Sequence, residues 1–360
     1  MIKESIEKCN RLFIYGAGII GYGVYEAVRE LYKCSASSFI VSDTNDNPKE
    51  YAKLSVITIS EYSEQKEHDD LILVATPPEY HEAIVDTLKM NNCNNFILIT
   101  PDIEYSLMGS YLKQLIGITC IEDVICTNHT IPNNTTVYMA ISHKDKLLTK
   151  QYIEPDYVKK IQVGKANTDF INTDADCFDN EYDNISELNS LYGELTATYE
   201  IWKNHKHDIT GIFHYRRILD VTHKDLCVFN NGVDVILPLP FVCYPDSSGQ
   251  YGRYLCNEDI EIMKDVLYEM HPELETDIKK ALNSKYLYNY NMLIARKEVF
   301  NDYCEWLFPM LSKITKRCEE SNRNRFPRYI GRIGEVLTSL YFSINIRKWK
   351  ITHAPKIWRV

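Results

Sequence analysis

The stretch DNISELNSLYGELTATYEIWKNHKHDITGIFHYRRILD, residues 183–220, decides how we interpret the rest of the chain. Asn184 followed by Glu187 has the spacing of a capping box, which predicts a helix that begins near Ile185. The apolar stripe of this helix consists of residues at three- and four-residue steps, namely Leu188, Leu191, Leu195, Thr198, Tyr199 and Trp202. Four polar residues fall off the stripe, namely Asn189, Thr196, Glu200 and Lys203. Glu194 lies at the edge of the stripe, so we expect its carboxylate to be half-buried and to need a hydrogen-bond donor.

A short strand and a cluster of basic side chains follow this helix. Residues 208–213 are rich in β-branched and aromatic side chains and have turn residues before them, which predicts a buried parallel strand. The four residues directly after it are His214, Tyr215, Arg216 and Arg217. Ligands of open α/β sheets lie outside the carboxyl ends of the strands, and guanidinium groups match phosphate oxygens. The sequence therefore predicts an anion site here. The alternative is a surface arginine pair beside a structural histidine.

Length and composition limit the classes of protein to consider. A chain of 360 residues with 45% hydrophobic and 25% charged residues is typical of a globular protein with two domains. The net charge of −10 argues against a nucleic-acid-binding surface, which requires a basic face. The eleven cysteines lack metal-ligand spacing, so we expect reduced thiols in a cytoplasmic protein. The apolar run at residues 12–28 contains four glycines, which favours neither a signal peptide nor a membrane span.

Residues 1–102 predict a small Rossmann-like module with a parallel sheet. Its first strand runs into Gly16, Gly18 and Gly21, which have the G-x-G-x-x-G spacing of a phosphate-binding turn. Asp43 follows the second strand, where a ribose-binding acid is expected. The module resembles the Rossmann-like sugar-nucleotide modules at the N-termini of some bacterial sugar-modifying enzymes. Two alternatives stay open, a scaffold without a ligand and an NAD-binding unit.

The second half of the chain predicts another α/β domain. Residues 103–134 are interpreted as a linker region, because the patterning weakens and Thr130-Ile-Pro-Asn-Asn interrupts the chain. In residues 135–360, strands are expected at 136–142, 157–163, 233–238 and 288–295, and helices at 259–270, 272–282, 299–314 and 332–342. His143 and Lys144 follow the first of these strands, so basic groups again stand at a strand's carboxyl end.

Several motifs of the second domain occur together in a consistent order. They are YMAISHK (138–144), DNIS-x-x-N-x-x-Y-x-E-L-T (183–196), WKN (202–204), GIFHYRR (211–217), YNML (290–293), YCEWLF (303–308), and Arg328 or Arg332 before Gly334-Glu335. This set resembles the bacterial polysaccharide-biosynthesis family catalogued as domain of unknown function 4422, over residues 136 to about 345. The resemblance implies a GT-A-like glycosyltransferase domain in capsule or O-antigen synthesis. It also implies a UDP-sugar as the donor of a hexose, galactofuranose or galactose.

The motif HYRR bears on whether a metal is needed. Many GT-A enzymes hold a divalent cation on the donor diphosphate with a D-x-D pair. In this chain HYRR takes that place, and fixed cationic side chains can stabilise a departing UDP without a metal. We therefore expect no metal and no cofactor besides the donor. A literal D-x-D occurs at Asp174-Ala175-Asp176, but it lies in a loop before the central helix, and such triplets arise by chance in an acidic chain.

Further binding residues are expected around the donor and acceptor. The candidates beyond the HYRR motif are His143, Lys144, Asp183, Asn184, Tyr290, Asn291 and Arg332. Some have a structural alternative: the basic pair can simply end a strand, Asn184 can cap a helix, and Asn291 can be a satisfied buried amide. An inverting transfer requires a carboxylate that deprotonates the acceptor hydroxyl. Glu335, Glu194 and Asp220 compete for this role. We favour Glu335, which is expected at a helix start beside Arg332, although an acid there also compensates the helix dipole.

Two interpretations are open for the C-terminal segment, and three for the function of the chain. Residues 347–360 carry five basic residues, two tryptophans and no acid, which suggests a peripheral contact with anionic lipid at the inner face of the plasma membrane. The alternative is a closing strand with solvated basic residues. We expect a cytoplasmic glycosyltransferase that extends a glycan or a lipid-linked glycan. The competing functions are an NAD-dependent oxidoreductase and a non-catalytic sugar-nucleotide-binding protein of polysaccharide assembly.

Overall fold

The computed structural model of the protein describes residues 2–43, 45, 47–321 and 324–359, so Val360, the end of the predicted basic segment, lies outside the described residues. The strands are β1 (Arg11–Tyr15), β2 (Ser38–Val41), β3 (Glu50–Tyr51), β4 (Leu54–Thr58), β5 (Asp70–Val74), β6 (Phe96–Leu98), β7 (Thr135–Ile141), β8 (Val158–Gln162), β9 (Cys177–Phe178), β10 (Ile209–His214), β11 (Arg217–Leu219), β12 (Val235–Pro238), β13 (Phe241–Val242), β14 (Tyr286–Leu287), β15 (Leu293–Arg296), β16 (Ile351–Ala354) and β17 (Lys356–Trp358).

The helices are α1 (Ile2–Lys8), α2 (Ile19–Tyr32), α3 (Ile59–Gln65), α4 (His81–Met90), α5 (Pro101–Ile116), α6 (Asn189–Tyr192), α7 (Leu195–Asn204), α8 (Ser248–Tyr251), α9 (Asn257–Met270), α10 (Glu275–Leu282), α11 (Lys297–Glu320) and α12 (Tyr329–Ile344). Short 3₁₀ helices lie at Pro78–Tyr80, Ile121–Asp123, Lys165–Asn167, Ser186–Leu188, His223–Asn231 and Pro272–Leu274. The chain divides into two compact units, Met1–Gly117 with Phe241–Asp246, and Ile118–Pro240 with Ser247–Val360.

The first unit is built on a sheet with the order β3-β4-β2-β1-β5-β6. All neighbouring strands are parallel except the β3–β4 hairpin, so the predicted Rossmann-like parallel sheet is confirmed. The predicted linker is corrected, because its first part is helix α5, which packs on α2 within this unit. Thr100 caps α5 by accepting a hydrogen bond from the backbone N–H of Ile103, and Gly117 ends it in the left-handed region, so the helix has its own start and stop signals.

The second unit is built on a sheet with the order β16-β12-β15-β10-β7-β8-β9. Strand β7 is parallel to β8 on one side and to β10 on the other, whereas β15 runs antiparallel between β10 and β12. The chain passes from β7 to β8 and later returns to β10 on the opposite side. The loops that leave β7 and β10 therefore diverge, which opens a crevice at the carboxyl ends of these two strands.

Both faces of this second sheet are covered, which explains why its central strands are apolar throughout. Ile212 and Phe213 are adjacent in β10, are both fully buried, and belong to the cores on opposite faces. One core is made with the helices, in which Leu195, Tyr303 and Phe342 are fully buried. The predicted α/β class is thus confirmed for this unit as well.

The predicted central helix is corrected in three respects. Instead of one helix from residue 185, the chain makes a 3₁₀ turn and the short helix α6, breaks at Gly193, and resumes as α7. The side chain of Asn184 accepts a hydrogen bond from the backbone N–H of Ser186, and no capping box forms with Glu187. Thr196 and Glu200, placed off the apolar stripe, are fully buried, because α7 is covered on both sides.

Two other predicted elements are also different in the structure. Helix α12 begins at Tyr329, so Glu335 lies in its second turn and not at its start. The strand expected at 288–295 forms only from Leu293, because Tyr290 and Asn291 have φ angles of 78° and 50°, which no β-strand contains.

Candidate functional site

A cavity of about 350 Å³ opens at the carboxyl ends of β7 and β10. Its lining residues are Ala140, Ile141, Ser142, Lys144, Asp145, Val163, Asn189, Ser190, Gly193, Glu194, His214, Tyr215 and Arg328. Four of the residues predicted from the sequence are among them, namely Lys144, Glu194, His214 and Tyr215. The sheet therefore brings these four together at the edge where a ligand is expected.

Glu194 is the buried acid of this cavity, with a side chain that is 7% exposed. Its Oε1 accepts a hydrogen bond of 3.0 Å from Asn291 Nδ2, and its Oε2 accepts one of 2.6 Å from Arg328 Nη2. Asn291 also donates to the carbonyl of Gly331, so both of its amide hydrogens are used. The expected donor partners of Glu194 are therefore present, and Asn291 is a satisfied buried amide that holds Glu194 in place.

Gly193 makes this arrangement sterically feasible. It has a φ of 60° and a ψ of −134°, a conformation that side chains rarely allow. A Cβ atom at this position would lie 2.2 Å from Nη2 of Arg328. The break between α6 and α7 thus leaves room for the guanidinium group that pairs with Glu194.

The backbone around Glu194 has several unfavourable conformations. Tyr290, Asn291 and Arg328 have φ angles of 78°, 50° and 59°. Asn291 and Arg328 donate to the Glu194 carboxylate, and the carbonyl of Tyr290 accepts from His214. Such conformations cost on the order of 1–3 kcal/mol each and persist only where the surrounding structure enforces them. They concentrate at binding and catalytic sites, so the strain here supports a functional role for the cluster.

The ionisation of the cluster follows from its burial and its charges. Burial favours the protonated form of Glu194, but the nearby charges of His214 and Arg328 and the Asn291 amide outweigh it, so the pKa of Glu194 lies below its ordinary value. Burial lowers the pKa of His214, although the proximity of Glu194 opposes this shift. Nε2 of His214 donates to the backbone carbonyl of Tyr290 and lies 3.6 Å from Glu194. At neutral pH we therefore expect an ionised Glu194, held in that form by the Arg328 guanidinium group and the Asn291 amide.

The two arginines after β10 are partly buried and lie close to this cluster. Arg217 is sandwiched between two aromatic rings, with its guanidinium carbon 4.5 Å from the ring centre of Tyr290 and 4.6 Å from that of Trp358. Its positive charge favours the neutral form of His214 and the ionised form of Glu335. The charge of Arg216 likewise favours the ionised form of Asp145, which lines the cavity. Neither arginine is among the residues that line the cavity itself.

Two further acids belong to the electrostatics of the site. Burial, with a contribution from Glu194, raises the pKa of Glu335 to about 8, so Glu335 holds a proton at neutral pH. Burial raises the pKa of Asp145 to about 6, although the backbone N–H of Ser142 donates to its carboxylate.

Arg332, another residue predicted from the sequence, packs on an aromatic ring. Its guanidinium carbon lies 4.2 Å from the ring centre of Tyr254.

The remaining predicted residues lie outside the lining of the cavity. His143 is exposed, with its ring 6.4 Å from that of Phe170. Asp183 is exposed and accepts a hydrogen bond from the hydroxyl group of Tyr199. Asn184 forms hydrogen bonds with Tyr182 and Ser186 in its own loop, and Asp220 is exposed after β11.

The acids of the D-x-D triplet, Asp174 and Asp176, each have a partner within the protein. Asp176 accepts a hydrogen bond from the backbone N–H of Lys160, and Asp174 lies 3.9 Å from the Lys160 ammonium group. Among the described residues, one group of three potential ligand atoms lies within 4.8 Å, formed by Cys120, Glu122 and Asp123. In that group Asp123 accepts a hydrogen bond from the backbone N–H of Cys120, as in a helix cap.

The C-terminal segment is folded into the second unit. Strand β16 pairs with β12, and β17 pairs with β11, which places Trp358 against Arg217. Arg359 is buried and forms a bidentate ion pair with Glu154, whereas Arg347 and Lys350 are exposed. In the part of the chain that the structure describes, no helix is long and apolar enough to cross a membrane.

The glycine turn of the first unit has the geometry that its spacing predicts. Gly16 has a φ of 116°, and a Cβ atom at Gly21 would lie 1.9 Å from the carbonyl oxygen of Gly16. A Cβ atom at Gly18 would meet no atom within 4 Å. Close packing thus explains why a side chain does not fit at Gly16 and Gly21. Gly18, in contrast, borders open space at the start of α2. Asp43 is exposed just after β2.

Sequence reasoning missed two charged residues of the cavity as binding candidates, Asp145 and Arg328. Arg328 was one of two arginines that fit the motif before Gly334-Glu335. Its pairing with Glu194 could not be predicted from local sequence, because the two residues are 134 positions apart. Asp145 follows His143-Lys144 directly, and its position beside two basic residues after a strand was a usable signal.

Three comparisons with known proteins bear on this site. A family model described as a domain of unknown function, DUF4422, matches residues 136–346, which is more than half of the chain and includes most of the cavity. A solved apo structure of the bifunctional glycosyltransferase WbbM is 26% identical, with a TM-score of 0.55. That match covers 63% of this chain and 45% of the WbbM chain, so this chain matches less than half of the length of that enzyme. No curated protein matches the sequence.

Proposed function

The chain belongs to the DUF4422 family, and from this premise we propose that it is a glycosyltransferase that moves a hexose from a UDP-sugar to a growing surface polysaccharide. The likeness to WbbM, at 26% identity, supports transferase chemistry in the second unit. The observation that carries the proposal is the cavity at the carboxyl ends of β7 and β10, with the strained Glu194–Arg328 pair inside it. By resemblance to the family, the donor sugar is galactofuranose or galactose and the fold of the second unit is GT-A-like.

The cationic side chains around the cavity suit a diphosphate. Arg328 keeps 57% of its side chain exposed while it binds Glu194, so part of its guanidinium group stays available to a ligand. Lys144 lines the same cavity, and Arg216 and Arg217 lie next to it. Because Glu335 is protonated at neutral pH, positive charge outweighs negative charge around Glu194. Fixed cations of this kind stabilise the charge that develops on a departing UDP.

On this proposal the reaction needs no divalent cation, because protein cations supply the charge on the diphosphate. The residues at the end of β10, where a D-x-D pair is expected by resemblance, are His214, Tyr215, Arg216 and Arg217. Guanidinium groups keep their charge over the whole physiological pH range. Added EDTA is therefore expected to leave transfer unchanged.

The acceptor hydroxyl group requires a base that is ionised and reaches the cavity. Of the three acids predicted for this role, Glu194 meets both conditions, whereas Glu335 carries a proton at neutral pH and Asp220 lies outside the cavity. Asp145 is a second candidate, since it lines the cavity and its pKa of about 6 suits a base near neutral pH. We propose Glu194 as the base, and transfer rates of the Glu194→Gln and Asp145→Asn variants separate the two candidates.

Calorimetry on the full chain tests the proposal against its alternatives. We expect UDP and a UDP-sugar to bind, and we expect the Arg216→Ala/Arg217→Ala double variant to lose that binding while it stays folded. Binding of NAD without UDP would favour an oxidoreductase that acts through Gly16, Gly18 and Asp43. Binding of a UDP-sugar that is never hydrolysed or transferred would favour a non-catalytic binding protein of polysaccharide assembly.

A peripheral contact with the inner face of the plasma membrane remains part of the proposal. Its support is the exposed pair Arg347 and Lys350, although Arg359 is buried and contributes nothing to a surface patch. Co-sedimentation with anionic liposomes tests it, and equal binding by an Arg347→Glu/Lys350→Glu variant would exclude this segment as the contact.

A further inference from the structure

A second cavity of about 340 Å³ lies in the helical part of the second unit. It is lined by residues from the turn after α9, from helices α11 and α12, and from the segment after α12, namely His271, Leu274, Asp302, Glu305, Trp306, Tyr341, Ile344, Asn345 and Lys348. None of these residues lines the cavity at the sheet edge.

The two cavities lie at opposite ends of helix α12. Arg328 is the N-cap of this helix and Tyr341 lies in its last turns, so about 20 Å of helix separates them at 1.5 Å per residue. One sugar residue cannot touch both places. A ligand that fills the second cavity and also reaches the first must therefore be a chain.

The second cavity combines a partly exposed aromatic ring, that of Trp306, with polar groups, whereas Tyr341 is buried behind it. Trp306 and Tyr341 have ring centres 5.4 Å apart, and Trp306 also stacks on the ring of His271. Polar oxygen and nitrogen atoms come from Asp302, Glu305 and the other hydrophilic residues of the lining. Cavities lined by aromatic rings with a few placed polar groups are typical of small-molecule sites.

The charges in the second cavity exclude an anionic ligand such as a nucleotide. Among the described residues, Lys348 is the one lysine or arginine that lines it, and its ammonium group already lies 2.8 Å from the Asp302 carboxylate. That carboxylate also accepts a hydrogen bond of 2.5 Å from the hydroxyl group of Tyr341. Burial opposes the ionised form, but the hydrogen bonds from Lys348 and Tyr341 hold the pKa of Asp302 below its ordinary value. Glu305 is exposed and adds a negative charge. A ligand without negative charge is therefore favoured.

We infer that this cavity binds uncharged sugar residues of the polysaccharide acceptor, away from the site of transfer. The C–H face of a sugar ring packs on an aromatic ring, while its hydroxyl groups both donate to carboxylates and accept from amide and ammonium groups. The identity of the ligand as an acceptor rests on the proposed function, whereas the sugar chemistry of the cavity does not. Such a site holds a long acceptor near the transfer site through two contacts and favours long acceptors over short ones.

Saturation-transfer NMR and calorimetry on the full chain test this inference. The probes are UDP and a ladder of neutral oligosaccharides released by mild hydrolysis from the surface polysaccharide of the cells that make this protein. Trp306→Ala should weaken oligosaccharide binding about tenfold or more, whereas Trp306→Phe keeps most of it. Trp202→Ala is the matched control, because Trp202 is also partly buried and stacks on Phe308, outside this cavity. The affinity for UDP should be the same in all variants.

The outcomes separate this inference from the proposed function. Oligosaccharide binding that Trp306→Ala leaves unchanged, or UDP binding without any oligosaccharide binding, would overturn the inference alone. Oligosaccharide binding that depends on Trp306 in a protein that fails to bind UDP would support this cavity and contradict the proposed function. If Trp306→Ala does not fold, Glu305→Arg replaces it, because Glu305 is exposed and an arginine there should block the cavity.

Discussion

Arg328→Ala is the substitution that probes the site most sharply. It removes the guanidinium group 2.6 Å from Oε2 of Glu194 and leaves that carboxylate buried with Asn291 as its remaining close donor. Breaking a fully buried pair costs about 3–5 kcal/mol. Since the Arg328 side chain is 57% exposed, solvent screening reduces the expected loss to about 1–3 kcal/mol. A loss of about 2 kcal/mol corresponds to a melting temperature lowered by about 4–8 °C for a unit of this size.

The same substitution is also expected to weaken UDP binding. A hydrogen bond to a charged group contributes about 1.5–3 kcal/mol, so the dissociation constant of UDP should rise by roughly 10- to 150-fold. Calorimetry and thermal unfolding measure the two effects on one sample.

The matched control for Arg328→Ala is Arg325→Ala. Arg325 also pairs with a fully buried carboxylate, Asp259, at 2.6 Å, but it lies outside the cavity. Arg325→Ala should lower the melting temperature without changing UDP affinity. Equal UDP affinity in wild type and Arg328→Ala, or an equal loss of affinity in the Arg325→Ala control, would refute the reasoning.

Three other predictions follow from the same structure. Gly193→Ala should destabilise the second unit by about 1–3 kcal/mol and weaken UDP binding, because its Cβ atom would collide with the guanidinium group of Arg328; wild-type melting and UDP affinity would contradict this. Burial raises the pKa of Glu335 to about 8, so the folded protein binds more protons than the unfolded chain between about pH 4.3 and that value, and stability falls as the pH rises across this window. Glu335→Gln should therefore flatten the decline in melting temperature between about pH 5.5 and about pH 8.5, and an unchanged pH profile would count against it. In the first unit, Gly21→Ala should lower the melting temperature whereas Gly18→Ala should leave it unchanged, and equal effects would show that the turn is packed differently.

Local patterns were sufficient for the class of fold, because the elements that define it have strong signals. The strand at 208–213 and the glycine turn after β1 both form where their composition predicts. The family predicted from the motifs is confirmed by the family model that matches residues 136–346. In contrast, helix α5 was interpreted as linker although Thr100, Pro101 and Gly117 mark its ends.

The partners inside the site could not be predicted from local patterns. Glu194 needed a donor, and this followed from its place on the helix, but the donors Asn291 and Arg328 lie 97 and 134 positions away. The break at Gly193 was missed because a single glycine within a helical pattern is tolerated in most helices. In the folded chain Gly193 has a φ of 60° and a ψ of −134°, and a Cβ atom there would meet the guanidinium group of Arg328, a residue far away in the sequence.

The central claim is that cationic side chains of the protein, and no metal ion, hold the donor diphosphate at the carboxyl ends of β7 and β10. A crystal structure of the full chain with UDP, grown with EDTA, tests this claim most directly. We expect the diphosphate within hydrogen-bond distance of the Arg328 guanidinium group, with Arg216 or Arg217 turned towards it. UDP bound elsewhere, or bound only when a divalent cation is added, would contradict the claim.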